Sequence, residues 1–192
     1  GKLRVKKGVR TTAEGNSMEY IINLYDVKVK NDSIPILLEK FALPTSFALF
    51  TTIDSLTASQ YNVFGLSVSS EGKASTMRFT KKQLQNVNFC LQNALVFLEG
   101  IKSKNLELLK KSGKEDLFDS NWSKTTANLD SIDATYGVIQ EASISEMSLY
   151  KNEDSKERLE VQCNLKRSKT ETANIINLLI DTQTFRVVGF DL

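Results

Sequence analysis

Leu159, Val161, Cys163 and Leu165 occupy every second position of one short stretch, and Glu160, Gln162, Asn164 and Lys166 fill the positions between them. A period of two is the mark of a strand with one face on a core and one in water. A chain that contains it has to build a sheet and then cover the apolar side. Polar turns at residues 151–156 and 167–169 flank the strand, and two further apolar runs follow at residues 173–180 and 185–192, separated by residues 181–184. Residues 138–150 supply a first strand, whose imperfect alternation predicts a bulge. Strands joined by such short connections make an antiparallel meander.

The cover is written upstream. Thr80 and Gln83 have the spacing of a capping box, in which hydroxyl and amide satisfy the free backbone donors of a first helical turn. Leu84, Val87, Leu91, Leu95 and Leu98 then follow at three- and four-residue steps, and the stripe can continue through Ile101 to Leu106 and Leu109, with Gly113 as the stop. Gly100 lowers helix propensity by roughly 1 kcal/mol against alanine, so a bend or break is expected there, giving two consecutive helices. A second pattern covers residues 115–136, with Phe118, Trp122, Leu129, Ile132 and Tyr136 on one side and Gly137 at its end. Its Ser-, Thr- and Asn-rich middle, residues 123–128, is where it would split.

The first eighty residues give mixed signals. Tyr25, Val27 and Val29 alternate with Asp26, Lys28 and Lys30 and favour strand, although Met18, Ile21, Ile22 and Tyr25 also fit a helical face. Ser33 and Pro35 open, and Pro44 closes, a short helix carrying Leu37, Leu38 and Phe41. Residues 63–69 and 73–79 flank Ser70, Glu71 and Gly72, a hairpin turn. The expected class is α+β, with long helices packed on a curved antiparallel sheet and a β-rich N-terminal portion. No linker or repeat interrupts the chain, so residues 1–192 read as one domain, with a possible subdivision into 1–79 and 80–192.

Composition narrows the chemistry. The chain has no histidine at all, which removes Ser-His-Asp and Cys-His nucleophiles and leaves any zinc site to two cysteines and carboxylates. Neither GxGxxG nor GxxxxGK[ST] occurs, so no nucleotide cofactor is expected. Glu115, Asp116 and Asp119 read as acids complementing a helix start rather than as a metal site, and Asp130 and Asp133 as an exposed helix face. Cys90 and Cys163 sit where cysteine acts as a small buried hydrophobe, with a disulfide between them the alternative. No catalytic residue, metal or cofactor is assigned. Phe118, Trp122, Tyr136 and Phe185 are the aromatics expected to touch one another or a ligand, core packing being the ordinary use of such a stripe. The basic stretches at residues 2–10, 102–114 and 166–169 read as solvated faces, and a net charge of +2 predicts no nucleic-acid partner. No uninterrupted apolar run of about 18 residues predicts a membrane span. Asn31 and Asn121 each begin a glycosylation sequon. The start at Gly1 rather than methionine reads as a trimmed N-terminus, one common reason for which is a removed signal or lipoprotein leader, so an exported, periplasmic or cell-surface setting is expected, with a cytoplasmic one the alternative.

The order helix, helix, Tyr136-Gly137 turn and a meander ending in Phe185-Arg186-Val187-Val188-Gly189-Phe190 resembles the cystatin-like and nuclear-transport-factor-2-like cone domains, small exported bacterial ones in particular. The resemblance covers about the last 110 residues. It implies a curved sheet wrapped around helices with a cavity inside, and a noncatalytic binding or assembly module holding a small apolar ligand or a protein partner. Some relatives of that family are isomerases, so the alternative it implies is a small-molecule isomerase or hydratase with a carboxylate in the cone.

Overall fold

The computed structural model describes residues 1–192 except Glu14, Asn31, residues 119–121, Glu153 and Leu192; of Thr12, Ser55, Thr57, Ala58 and Trp122 it describes the backbone alone. Asn31, Asn121 and Asp119, singled out above, therefore lie outside the described residues. The class is α+β, with two mostly antiparallel four-stranded sheets. The chain divides into two compact units, Gly1–Gln85 and Asn86–Leu192.

In the first unit, strands β1 (Lys2–Thr12), β2 (Gly15–Tyr25), β3 (Val63–Ser70) and β4 (Lys73–Thr80) lie in that order. The β3–β4 hairpin turns at Glu71 and Gly72, both with positive φ (49° and 79°), the mirror-image turn that matches strand twist. Met18, Ile21, Ile22 and Tyr25, which also fit a helical face, lie in β2, whereas the alternating stretch 25–30 that favoured strand is corrected: β2 ends at Tyr25, Asp26 takes a φ of 54°, and residues 26–30 are not strand. Strands β2 and β3 run parallel, because the crossover between them passes through α1 (Ser33–Thr52) and α2 (Ser55–Gln60). A second correction concerns Pro44, which lies inside α1 rather than at its end. The missing N–H of a proline destabilises a helix interior by about 3 kcal/mol. Contacts of the second half offset this: Phe50 meets Phe64 edge-on at 5.6 Å, and Ser46 stays on the buried side with Ile34, Leu38, Ala42 and Leu43. Helix α1 is long and apolar enough to cross a membrane by length and composition, although Glu39 and Lys40 interrupt it. It packs over β3 and β4.

In the second unit, β5 (Ile139–Lys151), β6 (Glu157–Arg167), β7 (Asn174–Asp181) and β8 (Val187–Asp191) form the expected meander, with register shifts in β5 at the place where a bulge was expected. Leu159, Val161, Cys163 and Leu165 are buried, and Ile176, Leu178 and Ile180 continue the same floor from β7. Helix α3 (Lys81–Ser103) starts across the unit boundary on the capping box: Gln83 N–H donates to Thr80 Oγ1 at 3.2 Å, and Thr80 N–H to Gln83 Oε1 at 2.9 Å. Its buried stripe is Leu84, Val87, Cys90, Ala94, Phe97, Leu98 and Ile101. Leu95 is exposed, a correction that follows from its lying about 90° from the centre of that stripe.

Gly100 does not break α3, which runs on to Ser103. The chain turns four residues later at Lys104, with φ of 52°, and Asn105 caps α4 (Leu106–Ser112). Glycine stands at 100 because a Cβ would come within 2.8 Å of Leu109 Cγ, so its absence lets α4 fold back closely. The next helix is also divided earlier than expected. A 3-10 turn at Glu115–Leu117 precedes α5 (Trp122–Tyr136), which runs unbroken through residues 123–128. Gly137 ends it with φ of 84°.

Candidate functional site

The aromatics nominated from sequence are dispersed. Phe118 is buried against Phe97, with ring centroids 6.0 Å apart. Tyr136 ends α5 and is exposed, so it leaves the apolar side assigned to it. Phe185 lies in the β7–β8 turn rather than in a strand, with φ of 60°; Asp181 holds this turn by accepting from the Gln183 and Thr184 N–H groups, and Asn93 donates to the Phe185 carbonyl at 2.7 Å. Its ring meets Phe89 at 5.2 Å. The side chain of Trp122 lies outside the described residues. None of the other three lines the hollows described below.

Both cysteines are free and buried. Burial pushes the Cys90 thiol up to about 12, helped by the charge of Glu157, and burial alone pushes Cys163 up to about 11. These are inert thiols at neutral pH.

Asp133 does not belong to an exposed face, and here the sequence reading is corrected. Lys104 Nζ lies 2.8 Å from its carboxylate, and Arg167 Nη1 donates to it at 2.6 Å and to the Gly137 carbonyl at 2.8 Å. Arg167 is 2% exposed at the end of β6. Burial works against the charged form of Asp133, but the hydrogen bonds from Lys104 and Arg167 outweigh it and hold the carboxyl below its usual range. Lys104 is correspondingly raised, first by its bond to Asp130 and then by Asp133. The cluster ties the end of α3, the end of α5 and the β6 terminus together, which is structural work.

The first unit carries a different arrangement. Over residues 1–85 there are twelve Lys and Arg against seven Asp and Glu, whereas residues 86–192 have thirteen against sixteen. The near-neutral total therefore conceals a basic unit of net +5. Strand alternation gathers part of that charge. Lys2, Arg4, Lys6 and Arg10 lie on one face of β1, and Leu3, Val5 and Val9 share the other with Lys7. The basic face continues into an open cleft of about 670 Å³ lined by Arg10, Glu19, Arg78, Thr80, Lys81 and Lys82 among others. Arg78 Nε donates to Glu19 Oε1 at 2.9 Å, and Arg10 approaches the same oxygen at 3.9 Å. One carboxylate thus orients two guanidinium groups while leaving the lining net positive, an arrangement suited to holding carboxylates or other anions by charge.

A second hollow of about 470 Å³ runs beside β1, lined by Arg4, Val5, Lys6, Lys7 and Asn23. Arg4 and Lys6 have no ion-pair partner among the described residues, while Lys7 turns back over the Tyr20 ring at 5.0 Å. The sequence shows cationic and apolar residues alternating from Lys2 to Lys6 before Lys7 and Gly8 break the pattern; reading residues 2–10 only as a basic stretch hid the apolar half. Among the described residues no group of three or more metal-ligating side chains occurs. No family model, curated protein or solved structure matches the chain.

Proposed function

We propose that the chain is a noncatalytic binding or assembly module that takes a protein partner on its first unit, along β1 and the adjoining basic cleft. The observation that carries this is β1 itself. It is eleven residues of strand with Leu3 63%, Val5 41% and Val9 62% exposed on one face and Arg4 and Lys6 exposed on the other. Exposed apolar side chains on a regular, charged strand are expensive to leave in water unless something covers them. Supporting the noncatalytic reading, the carboxylates displaced from their ordinary range, Asp116 and Asp133, are drawn down by cations, the opposite of what a general base near neutral pH requires.

An exported or surface-attached setting, and a curved second sheet acting as a cone, belong to the same proposal through the resemblance of residues 80–192 to the cone domains. So does operation of residues 1–192 as one domain. The test compares polypeptides retained by the native chain, by a variant carrying Arg4→Glu and Lys6→Glu, and by a control carrying Lys151→Glu, Lys156→Glu and Lys166→Glu. Retention lost with the first variant and kept by the control supports the reading. Equal retention by all three contradicts it.

A further inference from the structure

The two sheets leave four edges, and these edges are not alike. β8 is five residues long, β5 is interrupted by register shifts at Ile139/Glu141 and Ile144/Glu146, and β4, eight residues in continuous register with β3, is packed by α1. Short or bulged edges resist addition of another strand. β1 has neither protection: it pairs with β2 in continuous register from Lys2 to Thr12, and its other side pairs with no strand among the described residues.

What β1 does have is charge, and charge discriminates. Pairing β1 with the β1 of a second copy sets Lys2, Arg4, Lys6 and Arg10 against the same cations, and like charges opposite one another destabilise a strand pair. The same residues favour a strand whose alternate side chains are acidic. On the opposite face Val5 lies level with Ile22 and Leu66, and Leu3 with Leu24 and Val68. This is the face that α1 covers at Phe64, and α1 seats on β3 and β4, leaving the β1 end of the floor bare. A fifth strand with apolar residues on that side would extend an existing core.

We infer that β1 is a docking edge for an extended acidic segment of another protein, which adds as a fifth strand beside it, acidic side chains toward Arg4, Lys6 and Arg10 and apolar ones beside Leu3, Val5 and Val9. This rests on the reading of the first unit as the binding surface and names its partner. Rejection of a copy of itself and acceptance of an acidic strand are two results of one charge pattern.

The test uses the whole chain and three labelled eleven-residue peptides: glutamate alternating with valine or isoleucine, lysine in the same alternation, and the acidic composition with its glutamates gathered at one end. Binding is followed by fluorescence anisotropy, and amide hydrogen exchange is read by NMR. The alternating acidic peptide is expected to bind at least tenfold more tightly than either control and to slow exchange at every second amide of β1 at least tenfold. Arg4→Glu with Lys6→Glu should weaken it tenfold or more, and Leu3→Thr with Val9→Thr should weaken it without changing its salt dependence. Equal binding of the block peptide overturns strand addition and leaves attraction by charge alone. Binding that protects Arg78, Lys81 and Lys82 but not β1 also overturns it, while the first unit remains a binding surface. No binding of any acidic peptide at millimolar concentration removes both. Circular dichroism of each variant guards against misreading an unfolded chain.

Discussion

Replacing Asp133 with asparagine isolates the consequence of burying Arg167. The guanidinium is 2% exposed and its charge is met by one carboxylate, itself 15% exposed; its remaining described hydrogen bond is to the Gly137 carbonyl, and its Nε has no partner. Removing one member of a buried ion pair costs about 3–5 kcal/mol, because the other charge is left in a poor solvent. Some water reaches Asp133, so the lower end, about 3 kcal/mol, is the expectation. Arg167→Met should cost less, since Asp133 keeps Lys104, and the double variant should recover part of the Asp133→Asn loss. Because the folded-state pKa of Asp133 is lowered, its contribution is complete above the unfolded value near 3.9 and disappears as pH falls through the lower folded value. The native chain should therefore lose part of its margin over Asp133→Asn below about pH 4. Urea unfolding at pH 7 and pH 3 measures both quantities. An Asp133→Asn loss under about 0.5 kcal/mol at pH 7, or one unchanged at pH 3, refutes the reasoning.

Three other outcomes follow from the packing. Gly100→Ala should destabilise the chain by about 1–3 kcal/mol in the same assay despite its gain in helix propensity, because the new methyl meets Leu109 in a filled site; a stabilised variant would mean that α4 yields freely. Ser46→Ala should be neutral or stabilising, since it removes a buried hydroxyl that has no partner, and a loss above about 1 kcal/mol would show that the hydroxyl is satisfied. Cys90 and Cys163 should resist Ellman's reagent at pH 8 until denaturant is added, given burial and thiol values of about 12 and 11; labelling of the native chain within minutes would contradict the burial.

What the sequence disclosed was local. The alternation from Leu159 to Leu165, the capping box at Thr80, the Glu71–Gly72 turn and the stop at Gly137 each depend on residues within a few positions, and each appears in the structure. What it concealed was long-range. Pro44 reads as a terminator until Phe50 is seen on Phe64, and Gly100 reads as a weak point until Leu109 is seen against it. Arg167 looks like one more cation beside Lys166, and only the fold turns it inward to Asp133, 34 residues away. The parallel pairing of β2 with β3 depends on a crossover whose helix was expected to stop eight residues early. The candidate site was legible in its residues but not in its role, because an alternating strand and a solvated basic stretch differ only in what lies on the other face.

The central claim is that a partner sits along β1, and the most direct measurement is site-specific photo-crosslinking in the producing cell. A photoreactive side chain is placed at Val5, at Val9 and, on the second unit, at Ile175, which is also exposed. The account predicts adducts from positions 5 and 9, mapped by mass spectrometry to one acidic, extended segment of another protein, and none from position 175. Adducts from 175 alone, or adducts from 5 and 9 that map to a second copy of this chain, would contradict it.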